Sequence, residues 1–183
     1  MLVPVMITPQ EFKRNWERVK GERLILFPET SLSDVRLPSE AAAFLTFAGL
    51  PDQAAPFLAF GPPKHGTLER VSIRWCQPPA LSRYRIIGSN GSGDPVCLDD
   101  DILGQVVYLN HDNRLQRVLM ASSVFTLAEC LLQLRDLISN SGCAIERIPP
   151  KCFEDLYPRL RAIDREVADG YWIPECRGLQ VTQ

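Results

Sequence analysis

Tyr84-Arg85-Ile86-Ile87-Gly88-Ser89-Asn90-Gly91-Ser92-Gly93-Asp94-Pro95-Val96-Cys97-Leu98-Asp99 is the stretch that decides the fold. Tyr84–Ile87 and Pro95–Leu98 are short runs of strand-forming residues, parted by a Gly/Asn/Ser tract. Glycine adopts positive φ without a steric penalty, so the tract reads as a tight strand-to-strand connection. So short a link has no room for the crossover that a parallel pair requires, and the two strands are expected to run antiparallel. The tract does not read as a phosphate loop. It has no closing Gly-Lys-Ser/Thr, and it leads into a strand rather than a helix whose dipole would face an anion. Asp94, Asp99, Asp100 and Asp101 are oxygen ligands, but they lack the alternating spacing and closing Glu of a calcium loop. They are expected instead to form a solvated acidic turn, a negative surface that would steer a basic protein partner.

On the N-terminal side, Thr8-Pro9-Gln10-Glu11 carries the signs of a helix start: a hydroxyl cap, a proline at the first position and an acid three residues on. Phe12, Trp16 and Val19 follow at helical spacing, and Gly21 is placed to end the helix. Leu24–Phe27 reads as a short buried strand. Leu37-Pro38-Ser39-Glu40 opens a second helix through Phe47, with Gly49 as its left-handed cap and Pro51 blocking continuation. Phe57–Phe60 is a short strand, and Val71–Trp75 alternates apolar and polar residues as a half-exposed strand does. Trp16 and Trp75 are expected in the core.

Beyond the central stretch, Gln105–Leu109 and Leu115–Ala121 continue the strands. Thr126 and Glu129 then supply a capping box, with Phe125 stapling back onto the first turn. Leu127 to Ile138 is apolar on most faces, which predicts a helix held between the sheet and another layer. That layer is offered by Leu156, Leu160, Ile163 and Val167, one apolar stripe ending near Gly170. The whole pattern predicts an α+β fold, an antiparallel-rich central sheet flanked by N- and C-terminal helices. It is expected to be a single domain over 1–183, with 149–183 a helical C-terminal extension packed on it.

Composition narrows the function classes. A chain of 183 residues with 45% hydrophobic and 23% charged residues can bury a core without a disulfide or metal staple. The net charge of −2 and the lack of a Lys/Arg block weigh against nucleic acid. No apolar run reaches a membrane-spanning length. Met1–Ile7 lacks a basic region such as a signal peptide has, so the chain is expected to be cytoplasmic. The six cysteines are scattered, with no Cys-x-x-Cys pair, and are expected to be reduced and mostly buried. His65 sits in Pro62-Pro63-Lys64-His65-Gly66, which reads as an exposed turn, and His111 at a strand end; neither belongs to a metal-spaced pair. Cys97 and His111, on adjacent strands, are the weak nucleophile–base candidate. No catalytic, cofactor-binding or metal-ligating residue is assigned.

The ordered series of motifs resembles a known family. Leu37-Pro38 opening a helix that ends Phe47-Ala48-Gly49-Leu50-Pro51, then Trp75, Tyr84–Gly88, Gly93–Asp99 and Ala121-Ser122-Ser123-Val124-Phe125 are similar to the SUKH superfamily of Smi/Knr-related and Syd-related proteins. The Leu-Pro…Gly-Leu-Pro opening and Ile163-Asp164…Gly170-Tyr171-Trp172 look most like the SUKH immunity proteins of the fourth subgroup. The resemblance spans roughly residues 8 to 175. The Phe that the family carries after the Ser near position 123 stands one residue later here, at Phe125. The resemblance implies a non-enzymatic, cytosolic protein-binding module that neutralises a cognate bacterial toxin by direct binding. The alternative is a regulatory or adaptor protein on the same scaffold without a toxin partner. Asp94, Asp99, Asp100 and Asp101 are the candidate partner-binding residues, no cofactor is expected, and the oligomeric state is left open.

Overall fold

The computed structural model describes residues 6–18, 21–61 and 66–181. Val19 and His65 lie outside the described residues.

Helix α1 (Pro9–Trp16) begins as its sequence dictates. The Glu11 amide donates to Thr8 Oγ1 at 3.2 Å, and the Thr8 amide donates to Glu11 Oε2 at 3.0 Å. The helix ends at Trp16, well before Gly21, with Glu17 as its C-cap and the Glu17 amide on the Lys13 carbonyl as its last bond. Phe12 and Trp16 fill the core face. Strand β1 (Leu24–Ile25) is shorter than the apolar run predicts. It pairs antiparallel with β2 (Leu50–Pro51), and between them lie α2 (Glu29–Leu32) and α3 (Ser39–Phe47). Gly49 turns the chain from α3 into β2 at φ +71°. A Cβ there would stand 2.0 Å from the Ile25 carbonyl oxygen, so the contact between β1 and the end of α3 requires glycine.

The main sheet has six antiparallel strands in sequence order: β3 (Gln53–Ala54), β4 (Leu58–Phe60), β5 (Tyr84–Ser89), β6 (Pro95–Asp99), β7 (Val106–Asn110) and β8 (Gln116–Ala121). The expected β5–β6 hairpin is present, with Ile86 opposite Cys97 and Tyr84 opposite Asp99. Strand β6 is buried at all five positions. Its alternation sends Val96 and Leu98 into the main core and Cys97 into a smaller cluster with Val71, Tyr84, Val107 and Leu109 on the opposite face.

The segment Val71–Trp75 corrects the sequence reading. It forms a helical turn, α4 (Val71–Arg74), rather than a strand. Val71 and Trp75 are four apart as well as two-fold alternating, so five residues satisfy the helical period and the strand period alike. The turn is held by the Trp75 amide on the Val71 carbonyl and by a 2.7 Å hydroxyl contact between Ser72 and Ser82. Val71 is buried beneath it, Trp75 is only half-buried, and Ile73 faces solvent.

Helix α5 (Val124–Ser141) packs on α1, α3 and β8 on one side and on α6 (Pro150–Ile163) on the other, the sandwich its all-round apolarity predicts. Its cap is Ser123, not Thr126: the Thr126 amide donates to Ser123 Oγ at 3.1 Å, and Thr126 Oγ1 accepts from the Ser123 amide. Glu129 instead receives the Ile7 amide at 2.8 Å. Phe125 meets the edge of Phe44 at 5.3 Å. Ser123→Ala is therefore expected to lower stability by about 1 kcal/mol in urea unfolding, whereas Glu129→Gln leaves the cap intact.

After α6 the apolar stripe persists through a break. Asp164 leaves helical geometry, ends α6 and caps α7 (Arg165–Val167) through its own carboxylate on the Val167 amide. The chain does not stop near Gly170 but passes through a π-turn (Ala168–Trp172) into α8 (Ile173–Val181). Leu156, Leu160, Val167 and Trp172 are all buried in the main core.

Candidate functional site

Strand β6 carries one candidate acid just before it and three at its far end, so Asp94 is separated from Asp99–Asp101 by a strand roughly 17 Å long. The four acids form no single edge, and the expectation of a solvated turn is corrected. Asp94, Asp99 and Asp100 are buried, and only Asp101 is exposed. Burying a carboxylate without partners is costly, and each of the three has partners that explain its position.

At the far end, Asp99 Oδ2 accepts from Arg83 at 3.1 Å and from Arg117 at 3.2 Å. Arg83 also reaches Asp101 at 2.9 Å. Asp100 is held by Arg85 Nε at 2.8 Å and by the Arg36 amide at 3.0 Å. Arg85 is itself buried and extends to the Asp34 carboxylate and carbonyl. This cluster ties β5, β6, β8 and the α2–α3 connection together. Its acids are neutralised within the chain.

At the near end, Asp94 Oδ1 accepts the His111 amide at 2.8 Å and meets His111 Nδ1 at 2.6 Å, while Oδ2 accepts from Asn90 at 2.8 Å. Burial opposes ionisation of Asp94, but the hydrogen bonds from His111 and Asn90 prevail and hold its carboxyl below the ordinary value. Asn90 Oδ1 also receives the Ser92 and Asp94 amides, which builds the β5–β6 turn around one side chain.

Cys97 and His111 are not brought together. Cys97 lies opposite Val107, four residues short of His111, and its thiol is buried in the smaller cluster. Burial, with the Asp99 charge behind it, pushes that thiol well above its usual value. The cysteines divide more evenly than predicted: Cys97, Cys130 and Cys176 are buried, Cys152 is half-buried, and Cys76 and Cys143 are exposed.

Beside Asp94 lies a cleft of about 490 Å³ whose walls include Phe57, Tyr108, Asp112, Tyr171 and Glu175. Sequence reading missed it because its walls come from the β3–β4 connection, the β5–β6 turn, β7 and the C-terminal helices. Gly91 shapes one wall: a Cβ there would stand 2.8 Å from Phe57 Cβ. Among the described residues no helix is long and apolar enough to cross a membrane, and no group of His, Cys, Asp and Glu side chains gathers as a metal site would.

The family model of the SUKH-4 immunity protein matches residues 13–172, which runs from the second half of α1 through the π-turn and takes in the whole main sheet and most of the core just described. The chain belongs to the SUKH-4 immunity protein family. No curated protein and no solved structure matches it significantly. Within the matched range this SUKH-4 protein places Gly49-Leu50-Pro51 at the α3–β2 junction and the Tyr171-Trp172 pair against β7 and β8. Its matched segments thus mark the scaffold.

Proposed function

We propose that this SUKH-4 protein is a cytoplasmic, non-enzymatic immunity protein that neutralises a cognate toxin by binding it directly. The family match across 13–172 carries the reading. The chain is read as one domain, because a single hydrophobic cluster runs from Phe12 through the sheet to Cys176. Of the four candidate acids, Asp99 and Asp100 hold the scaffold through their arginines. Asp101 is exposed and able to touch a partner, and Asp94 acts through the negative field of the cleft beside it.

The test is co-expression with the product of the adjacent gene in a toxin-sensitive strain. Growth is expected to be restored, and a stable complex to co-elute on size exclusion. Neither rescue nor complex would remove the toxin-binding reading and leave the adaptor role on the same scaffold.

A further inference from the structure

The cleft beside Asp94 is acidic and aromatic. Asp94, Asp112 and Glu175 contribute carboxylates, and among the described residues no lysine or arginine lines it. His111 sits between Asp94 and Asp112, at 2.6 and 3.3 Å, but Glu175 makes no ion pair among the described residues. Partial desolvation holds the Glu175 carboxyl above its ordinary value, the sign of a charge that lacks a partner. Tyr108 and Tyr171 pack at 5.7 Å between ring centroids, and Tyr108, half-buried, presents aromatic surface beside these acids.

A second observation is independent of the acids. Tyr171 is only 3% exposed and lines the cleft. Among the described residues the side-chain atoms sealed from solvent without a partner are Trp16 Nε1 and Asp164 Oδ2, so the Tyr171 hydroxyl is not sealed away but stands at the cleft wall. Burial pushes the Tyr171 hydroxyl well above its usual value, with Glu175 adding to the effect, so it stays protonated. It is an available polar group in a pocket that has the size of a ligand site.

A divalent metal fits poorly, since the oxygens of Asp94 are already engaged by His111 and Asn90. A guanidinium fits better. It is planar, stacks on aromatic faces, forks to carboxylates, and is more weakly hydrated than an ammonium.

We propose that this cleft is the receptor for an arginine side chain of the protein that the SUKH-4 chain binds, with Glu175 and Asp112 pairing the guanidinium against the Tyr108 ring, beside the Tyr171 hydroxyl. The proposal rests on the direct-binding reading above for its biological partner, but the chemistry can be tested without one. N-acetyl-arginine methylamide is titrated into the full chain and followed by amide NMR shifts, with the citrulline analogue as the neutral isostere. Saturable shifts are expected at Gly91, Ser92, Asp112, Tyr171 and Glu175 with arginine only. Glu175→Gln with Asp112→Asn, both at exposed positions, is expected to weaken binding about fivefold or more. Tyr171→Phe, which keeps the packing, is expected to weaken it about threefold. No saturable shift at these amides, equal binding of citrulline, or undiminished binding by the double variant would overturn the proposal. Because this titration needs no toxin, its failure leaves the neutralisation reading standing, and failure of growth rescue leaves the titration standing.

Discussion

Trp172→Ala is expected to lower the stability of the folded chain by about 3–5 kcal/mol, from the lost transfer energy and the cavity left behind. Trp172 is fully buried, and its ring stands edge-on to Tyr171 at 4.9 Å. Its indole also has a specific task. The β7–β8 ladder shifts register between Val106 and Val107, so that Val106 faces Ala121 and Val107 faces Leu119. Met120 is the extra residue at that bulge, on the edge strand of the sheet, and its carbonyl accepts the Trp172 Nε1 proton at 3.0 Å. The alanine variant therefore orphans a buried carbonyl as well as opening a cavity. Trp172→Phe keeps most of the ring and is expected to cost about 1–3 kcal/mol, the share of the hydrogen bond. Urea unfolding followed by far-UV circular dichroism separates the two. An alanine variant within about 1 kcal/mol of the parent would mean that the C-terminal helices are not coupled to the sheet, since a core truncation cannot be that mild.

Arg85→Ala is expected to cost about 3–5 kcal/mol, because it leaves the buried Asp100 carboxylate without its charged partner. The magnitude comes from the orphaned charge more than from the lost pair. A double variant, Arg85→Met with Asp100→Asn, is accordingly expected to recover most of the loss, to within about 2 kcal/mol of the parent. The side-chain amide introduced at position 100 would still offer an oxygen to the Arg36 amide, and Asp34, exposed, would be solvated. By contrast the exposed pair Arg23–Asp52, though close at 2.7 Å, is worth about 0–1 kcal/mol. Equal losses in the single and double variants would show that packing of the Arg85 stem, not charge, sets the effect. The midpoint shift at unchanged denaturant slope is the measurement to compare.

What was legible in the sequence was local. The Thr8–Glu11 box, the Gly49 cap and the β5–β6 hairpin depend on residues within a few positions of one another, so their side chains carry the instruction without help from the rest of the chain. Local patterns failed where two of them fit. Ser123 and Thr126 are both good caps three residues apart, and the way β8 delivers the chain selects Ser123. Val71–Trp75 obeys two periods at once, and the turn of α4 wins because it buries Val71 beneath itself and joins Ser72 to Ser82.

The fate of the acids could not be read at all. Asp99, Asp100 and Asp101 look alike along the chain, yet two are buried and one is exposed, according to which arginines arrive from β5 and β8 and which amide from the α2–α3 connection. Those partners lie between 15 and 64 residues away, and nothing near the acids announces them. The same holds for the cleft, whose acids and tyrosines come from segments as distant as Phe57 and Glu175.

The class of fold, the order of most elements and the family are written in the chain itself, because hydrophobic period, caps and turns act over one or two helical turns. Which charges are neutralised inside the scaffold, and which remain for a partner, is settled only in the folded molecule. Electrostatic pairing depends on distance in space and on burial, and both exist only once the β5–β8 sheet and the C-terminal helices have closed around one another.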